Sequence, residues 1–195
     1  MSELETLADR LGRELLNRGE WLATAESCTG GWVAQSVTAI AGSSAWFDRG
    51  FVTYSNAAKV EMLGVPETTL ERHGAVSEAT ARAMAQGALA HSRADWAVAI
   101  TGIAGPTGGT PEKPVGMVCL AWARRDGGCE ALTCHFSGDR REEREQAVSM
   151  LPSSITAKEF LEPQPERRPG WRLEPLAKQP AHRHPAVEAR VRAGL

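Results

Sequence analysis

Three features of the chain predict an α/β fold, a three-layer α/β/α domain with a mixed, mostly parallel sheet. Segments with helical apolar spacing alternate with short apolar strands, the pattern of helices packed over a sheet. The run Asp95 to Thr101 (DWAVAIT) is apolar almost throughout, which marks a strand covered on both faces. Two later strands are joined by the turn Asp126-Gly127-Gly128 and therefore pair as an antiparallel hairpin.

The elements follow in order. Leu4, Leu7, Leu11 and Leu15, with Ala8 and Leu16, share one helix face, and Gly19 closes that helix as a C-cap. Trp21 to Ala25 reads as a strand, Gly30 to Ile40 as a helix, and Phe47 to Tyr54 as the next strand. Asn56 is expected to cap a helix through Leu63, Pro66 to open a short helical turn ending near Gly74, and Ser77 to cap an Ala-rich helix to about His91. After DWAVAIT, the stretch from Gly102 to Gly116 is too rich in Gly and Pro for a regular element. Val115 to Arg124 and Glu130 to Phe136 form the hairpin, and Ser137, Gly138 and Asp139 open a last helix carrying Arg140, Arg141 and Arg144.

Composition changes at Ser149. Seven of the 11 prolines lie beyond it, with eight basic residues against five glutamates and no periodicity. The chain thus divides into a domain over 1–148 and a Pro/Arg-rich tail over 149–195, expected to be largely disordered, with the last helix breaking between Ser149 and Pro152.

Net charge is −2, so no basic field argues for nucleic acid as a partner. The acidic N-terminus is not a secretory signal, and no stretch approaches the roughly 18 apolar residues of a membrane span. A cytoplasmic location and no membrane partner are expected. Cys28, Cys119, Cys129 and Cys134 match no zinc or redox spacing, and no Asp/Glu/His cluster has metal-ligand spacing. No metal and no cofactor are expected.

Two polar loops carry the chemistry. TAESCTGG (Thr24 to Gly31) has the grammar of a strand that stops and hands over to a helix, with hydroxyls and glycines where backbone N–H groups lack partners. GSSAWF (Gly42 to Phe47) offers two adjacent serines. Ser27, Ser43, Ser44 and Ser55 are candidate nucleophiles, and Lys59 is a candidate base if burial makes it neutral. The Tyr54 hydroxyl is placed to orient that amine or relay a proton. Cys28 has no histidine linked to it by any motif. Glu26 sits where it can accept from loop amides and hold the loop's shape, with a catalytic base as the alternative role.

The loop after DWAVAIT would also lie at strand carboxyl ends, where open α/β sheets collect ligands. Neither loop is a Walker A or GxGxxG motif, so a monophosphate fits better than a triphosphate or dinucleotide. Arg140 is a candidate phosphate fork.

TAESCTGG, IAGSSAWFDRGFVTYSNAAK, HGAVSEATA, ITGIAGPTGG, EKPVG and FSGDRREER occur in this order. Together they closely resemble the CinA C-terminal-domain family, over about Leu4 to Val148. Stand-alone members of that family hydrolyse the carboxamide of nicotinamide mononucleotide (NMN). The resemblance implies an α/β/α fold, NMN as small-molecule substrate and nicotinic acid mononucleotide and ammonia as products, within pyridine nucleotide salvage. It also implies a Ser/Lys dyad on Ser44 and Lys59 with Tyr54 in support. Substrate contacts are expected from Ser27, Thr29, Gly30, Thr101, Gly105 and Arg140, and a homo-oligomer, dimer or larger, is expected. A non-catalytic nucleotide-binding or regulatory module, or an amidase of another small anionic amide, is the alternative. In the family the last helix continues as an apolar stretch; the tail here departs from that and reads like out-of-frame translation of a GC-rich gene.

Overall fold

A computed structural model describes residues 2–156, with side chains through residue 150. Helix α1 (Glu3–Arg18) begins with a capping box between Ser2 and Glu5 and ends at Gly19 in the left-handed conformation. Strand β1 (Leu22–Glu26) leads through a tight loop into α2 (Trp32–Thr38). A 3-10 turn (Ser43–Ala45) then precedes β2 (Phe47–Val52). Helices α3 (Asn56–Leu63), α4 (Glu67–His73) and α5 (Glu78–Ala90) follow, then β3 (Trp96–Gly102), β4 (Met117–Arg124), β5 (Cys129–His135) and α6 (Arg140–Thr156).

The five strands lie in the order β2-β1-β3-β4-β5. β1 pairs in parallel with both β2 and β3, while β3–β4 and β4–β5 are antiparallel. Strands β1, β2, β3 and β5 therefore point one way and β4 alone runs back, which is the mixed, mostly parallel sheet that the alternation predicts. β1 sends its connection outward to β2, and β3 enters on β1's other side. The carboxyl ends of β1 and β3 therefore flank the switch point, where chain departs to both sides and a crevice opens.

Side-chain alternation on the central strands builds two cores. Val98 and Ile100 of β3 and Val118 and Leu120 of β4 pack with α1, α2 and α6. Ala97 and Ala99, with Ala23, Ala25 and Ala121, face α5. Alanines there let α5 lie close to the sheet. At Gly87 a Cβ would sit 2.1 Å from the Leu63 carbonyl oxygen, so the crossing of α3 and α5 requires glycine.

Two expectations are corrected. Ser55, not Asn56, caps α3: its Oγ accepts from the Ala58 N–H at 3.0 Å, which the hydroxyl does from the residue before the first turn. The helix expected to break between Ser149 and Pro152 continues to Thr156. A proline removes its own N–H donor, and the bonds on either side can still carry the helix past it. Ala147 and Val148 of α6 are buried in the core that includes Leu11 and Leu15 of α1. The expected tail beyond residue 156 lies outside the described residues. Among the described residues no helix is long and apolar enough to cross a membrane.

Candidate active site

At the switch point the chain brings a serine and a lysine together. Ser27 follows β1 directly, and its N–H donates to the Ile100 carbonyl of β3 at 2.9 Å, which anchors the loop between the two strands. Lys59 lies in the first turn of α3, and its side chain turns back under the sheet end, only 1% exposed. Lys59 Nζ is 3.0 Å from Ser27 Oγ, 2.8 Å from the Thr53 carbonyl oxygen and 3.4 Å from that of Tyr54. Burial strips water from the ammonium and pushes the Lys59 pKa below the ordinary lysine range.

The neighbours dictate what a neutral Lys59 does. Such an amine has two N–H groups and one lone pair. Two of its three partners are carbonyl oxygens, which only accept, and they take both N–H groups. The lone pair is then left for the Ser27 hydroxyl proton. In that state the amine's lone pair faces the serine hydroxyl.

Glu26 builds the loop that presents Ser27. Its buried carboxylate accepts from Thr29 Oγ1 at 2.7 Å, the N–H groups of Gly31 and Val33 at 3.0 Å, and the Ala34 N–H at 2.9 Å. These groups include the otherwise orphaned donors at the start of α2, so the helix entrance is filled by the protein's own anion. Gly31 meets this geometry with φ of 96°, where a side chain would be strained. The shape-holding role expected of Glu26 is what its contacts show.

The other expected site residues are distributed as follows. The Thr29 hydroxyl is committed to Glu26, and Gly30 donates its N–H to the Ser27 carbonyl. Thr101 Oγ1 donates to the Ala75 carbonyl at 2.8 Å and so ties the end of β3 to the turn before α5. Arg140 donates through Nη1 to the Gly105 carbonyl at 2.9 Å and through Nη2 to the Tyr54 hydroxyl at 2.9 Å. Tyr54 is 61% exposed. Its backbone carbonyl accepts from the lysine amine, while its hydroxyl faces Arg140.

Ser44, which the resemblance pairs with Lys59, stands apart from it within this chain. It lies exposed in the 3-10 turn that precedes β2, whereas Lys59 Nζ touches the segment that follows β2. The six residues of β2 separate the two. At roughly 3.3 Å per residue that is about 20 Å. Spacing along the chain cannot distinguish a serine before a strand from one beyond its neighbour's far end. Cys28, beside Ser27, is buried, and burial pushes its thiol up to about 12, so it stays protonated and inert.

Arg144 and Glu143 lie outside the expected set of site residues, although Arg144 follows Arg140 at helical i, i+4 spacing. The Arg144 guanidinium donates through Nη2 to the Thr29 carbonyl and lies 5.3 Å from the centre of the Trp32 ring. It braces the Ser27 loop from α6.

A buried serine–lysine contact at the switch point defines the class: an α/β protein with a serine hydroxyl and a lysine amine brought together at its strand ends. Comparison with known proteins gives the family. The family model for the CinA C-terminal domain matches residues 4–152, and the chain belongs to that family. It is 58% identical over 149 residues to the nicotinamide-nucleotide amidohydrolase PncC of Escherichia coli K12, covering 76% of this chain and 90% of that protein. A protein of the same name from Pseudomonas putida is 50% identical, over 76% of this chain and 92% of its own. Among solved structures, the competence/damage inducible protein CihA from Agrobacterium tumefaciens superposes with a TM-score of 0.78 at 49% identity, covering 80% of this chain and 94% of that one.

Proposed function

We propose that this protein hydrolyses the carboxamide of nicotinamide mononucleotide to nicotinic acid mononucleotide and ammonia, with Ser27 as nucleophile and Lys59 as base. The observation that carries the reading is the buried 3.0 Å contact between Ser27 Oγ and Lys59 Nζ, with two carbonyls holding the amine. The names of the relatives above supply the substrate class.

Neutral Lys59 takes the Ser27 proton as Oγ bonds to the amide carbon. The tetrahedral adduct collapses when Lys59 returns that proton to the amide nitrogen, and the C–N bond breaks to release ammonia. Water then attacks the ester, giving its proton to Lys59. The C–Oγ bond breaks, Ser27 regains a proton from Lys59, and the carboxylic acid leaves. One water is consumed and one ammonia formed. Arg140, exposed at the rim, is a candidate contact for the phosphate. The product re-enters pyridine nucleotide salvage as the acid mononucleotide.

The direct test is ammonia release from NMN by the purified chain, with Ser27→Ala, Lys59→Ala and Ser44→Ala in parallel. Loss in the first two with near-wild-type turnover in the third supports the reading. Full activity in Ser27→Ala, or loss in Ser44→Ala with an intact fold, would return the nucleophile to the other loop.

A further inference from the structure

A pocket of about 450 Å³ opens between the start of α6 and the loop after β3, lined by Gly105, Pro106, Val115, Arg140, Glu143 and Arg144, among others. Two of its walls also belong to the site already described. Arg140 holds the Tyr54 hydroxyl, and the Tyr54 carbonyl accepts from Lys59. Arg144 holds the Thr29 carbonyl, two residues beyond Ser27. Arg140 and Arg144 thus link the pocket to the segments that carry the serine–lysine contact.

Glu143 is out of keeping with its surroundings. It is 2% exposed, and its Oε2 is buried with no hydrogen-bond partner. The carboxylate lies under the glycine loops: a Cβ on Gly116 would be 3.3 Å from Oε1, and one on Gly105 would be 3.9 Å from Oε2. Native proteins seldom leave a buried carboxylate oxygen unpaired, because the desolvation is not repaid until a donor arrives. Burial, seconded by Asp139 and opposed by Arg140, raises its pKa. In the same wall, Arg144 Nε is also buried without a partner.

The donor set specifies the ligand. Three arginines, Arg140, Arg141 and Arg144, line the pocket and suit an anion such as a phosphate. A carboxylate repels that anion and instead accepts hydrogen bonds from neutral donors. Hydroxyls carried a few bonds from a phosphate satisfy both requirements, and a carboxylate accepting from a ribose hydroxyl is a recurrent solution in nucleotide sites.

We propose that this pocket receives the ribose phosphate of the substrate and that Glu143 accepts a hydrogen bond from a ribose hydroxyl, making it the residue that selects a ribonucleotide. The proposal rests on the mononucleotide reading above, yet it concerns binding and not hydrolysis.

Its test is calorimetric titration of the full chain with D-ribose 5-phosphate, 2-deoxyribose 5-phosphate and 3-deoxyribose 5-phosphate, followed by competition with NMN. Ribose 5-phosphate should bind, and removing one of the two hydroxyls should weaken binding about tenfold or more, the usual effect of losing a hydrogen bond to a charged group. Glu143→Ala should erase the difference between the sugars while leaving the thermal midpoint equal or higher, since the variant removes an unpaired buried carboxylate. If Glu143→Ala does not fold, Glu143→Gln preserves the shape and should weaken ribose 5-phosphate more than the deoxy sugars. No binding of ribose 5-phosphate, equal binding of all three sugars, or unchanged discrimination in the variant overturns the proposal. Ammonia release from NMN decides the amidase reading independently.

Discussion

The two ends of the central strands are built on opposite rules. At the amino end of β1 and β3, Glu20 accepts from the Trp96 indole at 2.8 Å and pairs with Arg124 at 3.4 Å, and the Arg124 guanidinium also lies 5.2 Å from the centre of the Trp96 ring. Arg125 donates to the carbonyls of Leu89, Ser92 and Ala94, closing the end of α5 against the hairpin. Charges here are matched. At the carboxyl end, Lys59 is buried against carbonyls and a hydroxyl, and Glu143 Oε2 has no hydrogen bond. One end holds the fold, while the other carries the unbalanced groups that a reaction needs.

Perturbing each end should separate activity from stability. The largest effect is expected from Ser27→Ala and Lys59→Ala, each reducing kcat for ammonia release by about a thousandfold or more. Circular dichroism should remain native in both. Arg140→Ala should come next, raising KM for NMN by roughly tenfold to a hundredfold with a smaller change in kcat, since it removes a charge-assisted contact at the rim. At the other end, Glu20→Ala removes the acceptor of the Trp96 indole N–H, while Arg124 keeps its pair with Asp126. It should lower the unfolding free energy by about 1–3 kcal/mol in urea titrations while kcat/KM stays unchanged. An activity loss in Glu20→Ala as large as in Lys59→Ala would abolish the distinction between the two ends.

The pH response sharpens the same contrast. Burial lowers the Lys59 pKa, so in the folded state the amine loses its proton below the usual lysine value of about 10.4. Between the two values the unfolded chain binds more protons than the folded one, and stability contributed by Lys59 rises with pH across that window. Below the folded pKa the penalty for burying the charge is present in full. Activity should increase on the acid side with an inflection under the normal lysine pKa, and Lys59→Met should flatten the alkaline rise in unfolding free energy. The smallest effect is expected from Ser44→Ala, with turnover within about twofold of wild type, as for an ordinary exposed surface change.

Much of the architecture was legible because local signals and burial agree. Gly19 and Ser77 mark helix ends by their own chemistry, and both act as caps. DWAVAIT is apolar because β3 is covered on both faces. Lys59 and the Glu26 loop were readable from residue type beside strand ends. The partner of Lys59 was not, since the nearer GSSAWF loop and the more distant TAESCTGG loop both offer serines. The depth of Glu143 was equally hidden, because REER on a helix reads as a solvated charge run.

Sequence alone determined the elements, their order and the loops in which chemistry must lie, since capping, periodicity and turn residues act within a few positions. It determined the family too, through long motifs. Tertiary structure decided which serine meets the lysine, that the Tyr54 carbonyl and not its hydroxyl holds the amine, and that one glutamate of α6 lies unpaired in a pocket. Those facts depend on parallel pairing of β1 with β2 and β3, which gathers Ser27, Thr53 and Lys59 at one end of the sheet and leaves Ser44 at the other. Strand pairing is a long-range choice made by burial of both sheet faces, and no local spacing encodes it.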